Sequence, residues 1–340
     1  MDTLVLVGLA VLALAVLHWL YRATETRRVS AAPAQPAPVT AVIMPCYRDA
    51  QRCARTLDGM FRAATFPHSL RAVVVHHRGR HEPSVLDAYD RVAVAGFREY
   101  VSVLEFPADT AQGPTMARAA AAAHIQFEHD YVLYVDCHAQ FTRGWDTALQ
   151  SELLTCTAPR PCLTTLPPQH GATHATFPRP SSSGMLEGAP YLRRPMEPLP
   201  SAWVCMALAF MRAADAGWYV AEPFAADSDD LAQSMAAFAA GVRAYTPALT
   251  HVTLDWRACP RFDDRLPQDG GVDRKHLRRA AKAAGDTDAW EAFSGCSARS
   301  GRPRGERGCK GVTADASAEE VAAKCGALVE LGASDSDSNE

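Results

Sequence analysis

The chain has 340 residues, 48% of them hydrophobic and 21% charged, which suffices for one large α/β domain with short appendages and excludes two large enzymatic domains. A formal net charge of −4 supplies no overall basic field, so no nucleic-acid partner is expected, and the basic stretches at 274–282 and 299–310 read as solvated helix faces or loose tail. Ten cysteines without a C-x-x-C pair or a regular zinc spacing argue against a structural zinc site, and Cys46 and Cys205, set in apolar runs, read as small core hydrophobes in a reducing compartment.

In chain order, Leu4 to Tyr21 form an almost unbroken apolar run of bilayer-spanning length, closed by Trp19 and Tyr21 and then by Arg22, Arg27 and Arg28. The run predicts one transmembrane anchor over residues 1–22. A cleaved signal peptide is the rival, but Met1-Asp2-Thr3 lacks a basic leader. Positive charge on the C-terminal side predicts a single-pass protein with a cytosolic catalytic domain, a Golgi or ER lumen being the alternative. Residues 23–38 hold Ala-Ala-Pro-Ala-Gln-Pro-Ala-Pro at 31–38, a spacer that cannot pack a core.

The catalytic domain is expected over 39–260. Short apolar runs at Ala41–Met44, Ala72–Val75, Val101–Leu104 and Tyr131–Val135 read as buried strands, with helical patterns at Asp49–Phe61 and Gly113–Phe127 between them. This alternation predicts an α/β fold, a mostly parallel sheet covered on both faces. Further on come an apolar run at Ala202–Met211, a helix pattern at Asp229–Ala240 and short strands around Ala244 and Val252. Ser181–Pro200, rich in Ser, Gly and Pro, reads as a long loop and a candidate acceptor-side lid. A helical, basic extension is expected over 261–333 and a disordered acidic tail over 334–340.

In an open α/β sheet ligands bind beyond the carboxyl ends of the strands, so the residues following each strand are the ones to inspect. Tyr131-Val-Leu-Tyr-Val-Asp136-Cys-His138 ends a buried strand with two metal-competent side chains. In extended backbone, positions two apart share a face, so Asp136 and His138 can reach one divalent ion, which would neutralise a departing pyrophosphate. The plain alternative is an N-cap and a surface histidine. His76-His77 also ends a strand, but adjacent strand residues point to opposite faces, so that pair is set aside. Asp49 can serve as a helix N-cap, Gly113-Pro114 opens a helix whose free amides suit a phosphate or hydroxyl, and Ser228-Asp229-Asp230 can cap an amphipathic helix. Gly144-Trp145-Asp146 can be a turn, an aromatic core plug and a cap.

Four blocks in order resemble glycosyltransferase family 60, the polypeptide N-acetylglucosaminyltransferases that include the cytoplasmic enzyme acting on hydroxyproline. They are Met44-Pro-Cys-Tyr-Arg-Asp49 with Cys53 and Thr56-Leu57, Gly113-Pro-Thr-Met-Ala-Arg118, Asp136-Cys-His138 with Phe141 and Gly144-Trp145-Asp146, and Phe224 to Pro247 with His251. The resemblance covers roughly 39–257 and implies a GT-A domain. It also implies a UDP-sugar donor, transfer of GlcNAc or a related sugar to a protein hydroxyl such as hydroxyproline, retention of configuration, and a divalent cofactor, Mn²⁺ or Mg²⁺.

By the same resemblance, Tyr47, Arg48, Asp49, Gly113, Arg118, Asp136, Trp145 and Asp146 would attend the donor, with Trp145 and Asp146 behind the contact layer or toward the acceptor. Asp136, His138 and His251 would hold the metal. Asp229 and Asp230 would contact the sugar or act as base, although the family has Gly-Glu-Glu where this chain has Ser-Asp-Asp, and Cys46 stands in place of the family's serine. A carboxylate one methylene shorter sits farther from the reacting carbon. Two alternatives stay open: a metal-dependent phosphohydrolase, and a degenerate nucleotide-sugar-binding protein without turnover.

Overall fold

A computed structural model of the protein describes residues 36–93, 96–125, 128–172, 175–180, 186–191, 195–219, 226–255, 281–282, 285, 287–294 and 296–298. The chain divides into two compact units, Met1–Pro38 and Val39–Glu340, and every element below belongs to the second. The expected anchor, most of the spacer, the acidic tail and most of the basic extension lie outside the described residues. Among the described residues no helix is long and apolar enough to cross a membrane.

The first half runs β1 (Thr40–Tyr47), α1 (Ala50–Ala63), β2 (Leu70–Arg78), α2 (Val85–Val92), β3 (Val101–Pro107), α3 (Pro114–Ala122) and β4 (Tyr131–Val135). The second runs β5 (Ala139–Phe141), α4 (Trp145–Thr155), β6 (Pro161–Thr164), β7 (Thr176–Pro180), β8 (Leu186–Pro190), β9 (Leu199–Ser201), β10 (Leu208–Arg212), α5 (Ala226–Ala239), β11 (Arg243–Thr246), β12 (Val252–Leu254) and α6 (Asp288–Ser294). Eight strands form one sheet in the order β3-β2-β1-β4-β10-β6-β11-β9, while β5 pairs with β12 and β7 with β8 in two separate ribbons. Strands β1 to β4 are mutually parallel, and β10 enters antiparallel against β4 and β6.

The unbroken apolar character of β1 follows from burial on both faces. Val42, Met44 and Cys46 point into a core shared with α1, α2 and α4, while Ala41 and Ile43 point into a second core with Ala117 of α3 and Ala236 of α5. Strand order reverses at β1: the chain moves outward through β2 and β3, then returns to place β4 on the other side. That reversal opens a crevice beyond the carboxyl ends of β1 and β4.

Several expectations change. The helix begun at Gly113 stops at Ala122, short of Phe127. The stretch expected as a loop at 181–200 contains β8, which with β7 forms an antiparallel ribbon. Within the expected basic extension, α6 buries Trp290 at 1% exposure, its ring edge-on to Trp203 at 5.5 Å, so an aromatic anchor ties this part of the extension to the domain.

Candidate functional site

At the crevice, Gly113 adopts a φ of +103°, a turn that glycine makes without steric cost, and Pro114 starts α3 behind it. One turn later Arg118 is buried, and its guanidinium bridges two carboxylates: Nη2 donates to Asp136 Oδ1 at 2.8 Å and Nη1 to Asp229 Oδ2 at 2.7 Å. Burial alone would make Arg118 easier to deprotonate, but Asp136 and Asp229 outweigh it and hold the charge more firmly than usual. Gln233 donates to the other oxygen of Asp229 at 3.2 Å, and Tyr219, stacked on Tyr134, donates to the carbonyl of Thr115 on the same helix. The shortened carboxylates of Ser-Asp-Asp are therefore no obstacle to assembly, because Asp229 reaches Arg118 across 111 residues of sequence.

Asp230 accepts from the Met206 amide at 2.8 Å, and burial together with the neighbouring Asp229 pushes its carboxyl up to about 7. An arginine set between carboxylates presents both donors and acceptors to a polyhydroxylated ligand, the pattern a sugar ring requires.

The tip of β4 departs from the extended geometry expected of Asp136 and His138. Ala139 N–H donates to the Asp136 carbonyl at 3.3 Å, so Asp136-Cys137-His138 closes a turn. The two side chains nonetheless interact: against the effect of burial, the Cys137 thiol and the Asp136 carboxylate raise His138 above the ordinary imidazole range. Next to this turn, the Asp255 amide donates to the His138 carbonyl at 3.2 Å. Arg52 of α1 reaches the Asp255 carbonyl at 3.3 Å while pairing with Asp49 at 3.0 Å. Cys46 is buried beneath, beside the Cys137 and Cys53 thiols.

Beyond β1, Tyr47 ends the strand and Arg48 takes a φ of +50° while its amide donates to the His77 carbonyl at 3.0 Å. Asp49 does not cap α1; Glu82 does, accepting from Ala50 N–H at 2.8 Å. Burial raises the Asp49 carboxyl, with Arg52 opposing. Arg48, Gly79 and Arg80 separate two open clefts of about 670 and 500 Å³, the first continuing to Asp109 and the second to Glu82. The larger has the size of a small-molecule site.

Three expected site residues stand elsewhere. Trp145 is fully buried, its indole N–H donating to the Met60 carbonyl, and Asp146 accepts the amides of Thr65 and Phe66 at 2.8 Å each. Both sit at the C-terminal end of α1, by the start of β2 and the opposite edge of the sheet from the crevice, so they brace the scaffold and do not touch a donor there. His251 pairs across the β5–β12 ribbon with Thr142, and its Nε2 lies 2.8 Å from Glu152 Oε1. It does not join Asp136 and His138. Among the described residues, no group of three His, Cys, Asp or Glu closes into a cage for a metal ion.

Asp136 and His138 offer a hard oxygen and an imidazole nitrogen, donor types that Mn²⁺ or Mg²⁺ accepts, but they make only two ligands. Arg52, Glu82, Glu152, Tyr219 and Asp255 escaped sequence reading. Only Arg52 carried a local signal, one turn into the first helix beside Asp49.

Residues 87–257, just over half of the chain, match the family model described as Glycosyltransferase (GlcNAc). No curated protein matches the chain in sequence. Among solved structures, GalNAc-T7 with UDP, GalNAc and Mn²⁺ superposes with a TM-score of 0.50 at 13% identity, covering 75% of this chain and 50% of that one. TarS 1–349 of S. aureus in complex with UDP-GlcNAc gives 0.48 at 16% identity, covering 72% and 65%. The mannosyltransferase PcManGT from Pyrobaculum calidifontis in complex with GDP-Man and Mn²⁺ gives 0.45 at 17%, covering 95% and 86%. The chain thus spans half the length of GalNAc-T7 and 65% of TarS 1–349. At 13% identity the likeness to GalNAc-T7 is one of fold, a large mainly parallel sheet of the GT-A kind.

Proposed function

We propose, because this chain belongs to the Glycosyltransferase (GlcNAc) family, that it moves N-acetylglucosamine or a closely related sugar from a UDP-sugar to a hydroxyl of a protein side chain such as hydroxyproline. Within that family we read it as a family 60 enzyme, on the four blocks named above, working with retention of configuration. The observation that carries the reading is Arg118 held between Asp136 and Asp229 at the switch point of the sheet.

In this reading the nucleotide lies along the carboxyl ends of β1 and β2, with Arg48 and Arg80 at the clefts countering phosphate charge. Gly113 lets the backbone approach the donor closely, and Arg118 with Asp136 and Asp229 grips the sugar hydroxyls and fixes the anomeric carbon. Asp230, with its carboxyl at about 7, is the group suited to exchange a proton near the acceptor. A divalent cation, Mn²⁺ or Mg²⁺, would be held by Asp136 and His138 and supplies charge neutralisation for the leaving diphosphate. Positioning and charge stabilisation account for most of the acceleration. The apolar run at 4–21 would tether the catalytic unit to a membrane through the proline-rich spacer.

The test uses the full chain in detergent with a panel of nucleotide sugars, Mn²⁺ and hydroxyproline peptides, reading UDP release for wild type and Asp136→Ala. Release from a UDP-sugar that depends on the peptide, and falls at least a hundredfold in the variant, is expected. Equal release from the variant, or no acceptor-dependent release from any donor, refutes the reading.

A further inference from the structure

We propose that Cys137 is an oxidant-sensitive thiol and Cys46 its resolving partner, the two closing into a disulfide beneath the Asp136–His138 turn and opening again on reduction. The geometry of β1 and β4 carries the argument. The two strands run parallel, paired from Thr40 with Tyr131 to Ile43 with Tyr134, and three residues beyond that last pair stand Cys46 and Cys137. Neighbouring strands lie about 4.8 Å apart, inside the roughly 4.4–6.8 Å between Cα atoms that a disulfide spans. The Cys46 thiol lies beside that of Cys137, and Cys137 packs against the core to which Cys46 belongs.

Access and anchorage assign the roles. Cys46 and Cys53 are buried, at 1% and 0% exposure, whereas Cys137 is partly exposed, so an oxidant meets Cys137 first. Cys53 also borders Cys46, but it stands on α1, and its Sγ lies 3.6 Å from Met44 Sδ. The Thr56 hydroxyl of the same helix reaches the carbonyls of Cys137 at 2.9 Å and Ala139 at 3.0 Å, which holds the turn in place over Cys46. All the cysteines among the described residues are free thiols, and in a reducing compartment a disulfide is a transient, sensing bond.

With hydrogen peroxide as the oxidant, the Cys137 sulfur attacks one peroxide oxygen: an S–O bond forms, the O–O bond breaks, and the departing hydroxide leaves as water with the thiol proton. The Cys46 sulfur then attacks the Cys137 sulfur, forming S–S and breaking S–O, and a second water carries off the Cys46 proton. Two thiols thus give two electrons to one peroxide. The neighbouring Cys46 thiol and burial hold Cys137 above the ordinary thiol range, so thiolate is scarce and the first step is slow. An S–S bond of about 2.05 Å is shorter than any non-bonded contact between sulfurs, so closure draws Cys137 toward β1. Asp136, bonded to Arg118, and His138 flank Cys137 and shift with it, and a displacement of about 1 Å in a site can cost about 10²-fold in rate. This loss of turnover rests on the glycosyltransferase reading above; the disulfide itself does not.

The experiment incubates the reduced full chain with excess hydrogen peroxide, blocks the remaining thiols with N-ethylmaleimide and maps linked peptides by mass spectrometry. UDP release is read before oxidation, after it, and after dithiothreitol. Wild type should yield a peptide joining Cys46 to Cys137 and lose about tenfold or more in UDP release, recovered on reduction. Cys46→Ser, or Cys46→Ala if the serine variant does not fold, should give no link. Its Cys137 should instead advance to the sulfinic acid, and dithiothreitol should no longer restore turnover. Cys53→Ser should link and recover as wild type does. Absence of the Cys46–Cys137 link in wild type, a link from Cys53 in its place, or full recovery of the Cys46 variant overturns the assignment. A linked wild type that turns over as fast as the reduced one overturns the coupling to the site. A reduced chain that releases no UDP refutes the glycosyltransferase reading, and the linked peptide then still decides the thiol assignment.

Discussion

Both edges of the parallel half-sheet carry buried polar groups, yet they differ in what those groups hold. At the edge away from the crevice, Asp146 accepts two main-chain amides and Trp145 donates to a main-chain carbonyl. At the carboxyl edge, Arg118 holds Asp136 and Asp229, and Asp230 crowds Asp229. Main-chain partners fix a scaffold, because those amides must be satisfied in every state of the protein. Ionisable partners with faces toward a crevice can exchange one another for a ligand, and the exchange costs little when the ligand brings equivalent charge and hydroxyls.

The comparison is broken most directly by removing the centre of the ionic edge. Arg118→Met should lower kcat for sugar transfer by about 10²–10³, some 3–4 kcal/mol of transition-state stabilisation, and should also destabilise the fold by leaving Asp229 unpaired. Steady-state UDP release at a temperature where the variant is folded, checked by circular dichroism, measures this. A loss below tenfold would place the transfer site elsewhere.

At the scaffold edge the expected effect is on folding alone. Asp146→Ala strands the Thr65 and Phe66 amides and should cost about 2–4 kcal/mol. Urea denaturation should show the shifted midpoint, while kcat of the folded variant stays within a factor of two. A large fall in kcat with normal stability would return Asp146 to the donor side, where the family resemblance had set it.

This pair of expectations also marks what the sequence could reveal. The strands β1 to β4 were legible because burial on both faces leaves runs such as Tyr131–Val135 with no polar interruption, and Gly113-Pro114 announces its helix by backbone chemistry alone. Arg118, Asp136 and Asp229 were named in sequence and prove to be one cluster.

The sign of Trp145, Asp146 and His251 was not legible, since a buried aromatic, carboxylate or imidazole reads the same whether it faces a ligand or a carbonyl. The deciding partners, Met60, Thr65, Phe66 and Glu152, lie 80 to 99 residues away. Nor was α4 visible, although Trp145, Leu149 and Leu153 recur every four residues on its buried face, because Leu154 stands exposed among them and blurs the pattern. The N-cap signal of Asp49 misled for a related reason: Glu82, from the loop after β2, takes the amide first.

Asp230 sharpens the comparison through pH. Its unfolded carboxyl releases a proton near the ordinary value of 3.8 and the folded one near about 7, so between those values the folded state holds one more proton. Stability therefore is greatest below the lower value and declines as pH rises through the window, by about 2 kcal/mol once partial solvent access is allowed for. Asp230→Asn keeps an acceptor for the Met206 amide and removes the titration, so its urea midpoint should stay flat from pH 4 to 8 relative to wild type. An identical slope in the two proteins would show that the carboxyl is not held protonated.

The smallest effect tests whether the carboxyl edge stores strain for binding. Arg48 is the one non-glycine among the described residues with a positive φ, +50°, and its amide extends the β1–β2 pairing past the strand end to His77. A side chain in that conformation costs about 1 kcal/mol relative to glycine, yet it is arginine that stands there, its Nε 3.5 Å from where a Cβ on Gly79 would lie and its side chain at the boundary of both clefts. In the proposed reading, a phosphate contact at the clefts is what arginine at this strained position would serve. Arg48→Gly should then raise the urea midpoint by the equivalent of about 0.5–1 kcal/mol, part of the relief being lost to the greater freedom of unfolded glycine. It should also raise KM for the nucleotide sugar severalfold with kcat nearly unchanged, because a phosphate contact made equally in ground and transition states affects binding alone. A variant that is both less stable and unaltered in KM would mean that the left-handed turn serves the β1–β2 junction, and that the donor passes Arg48 by.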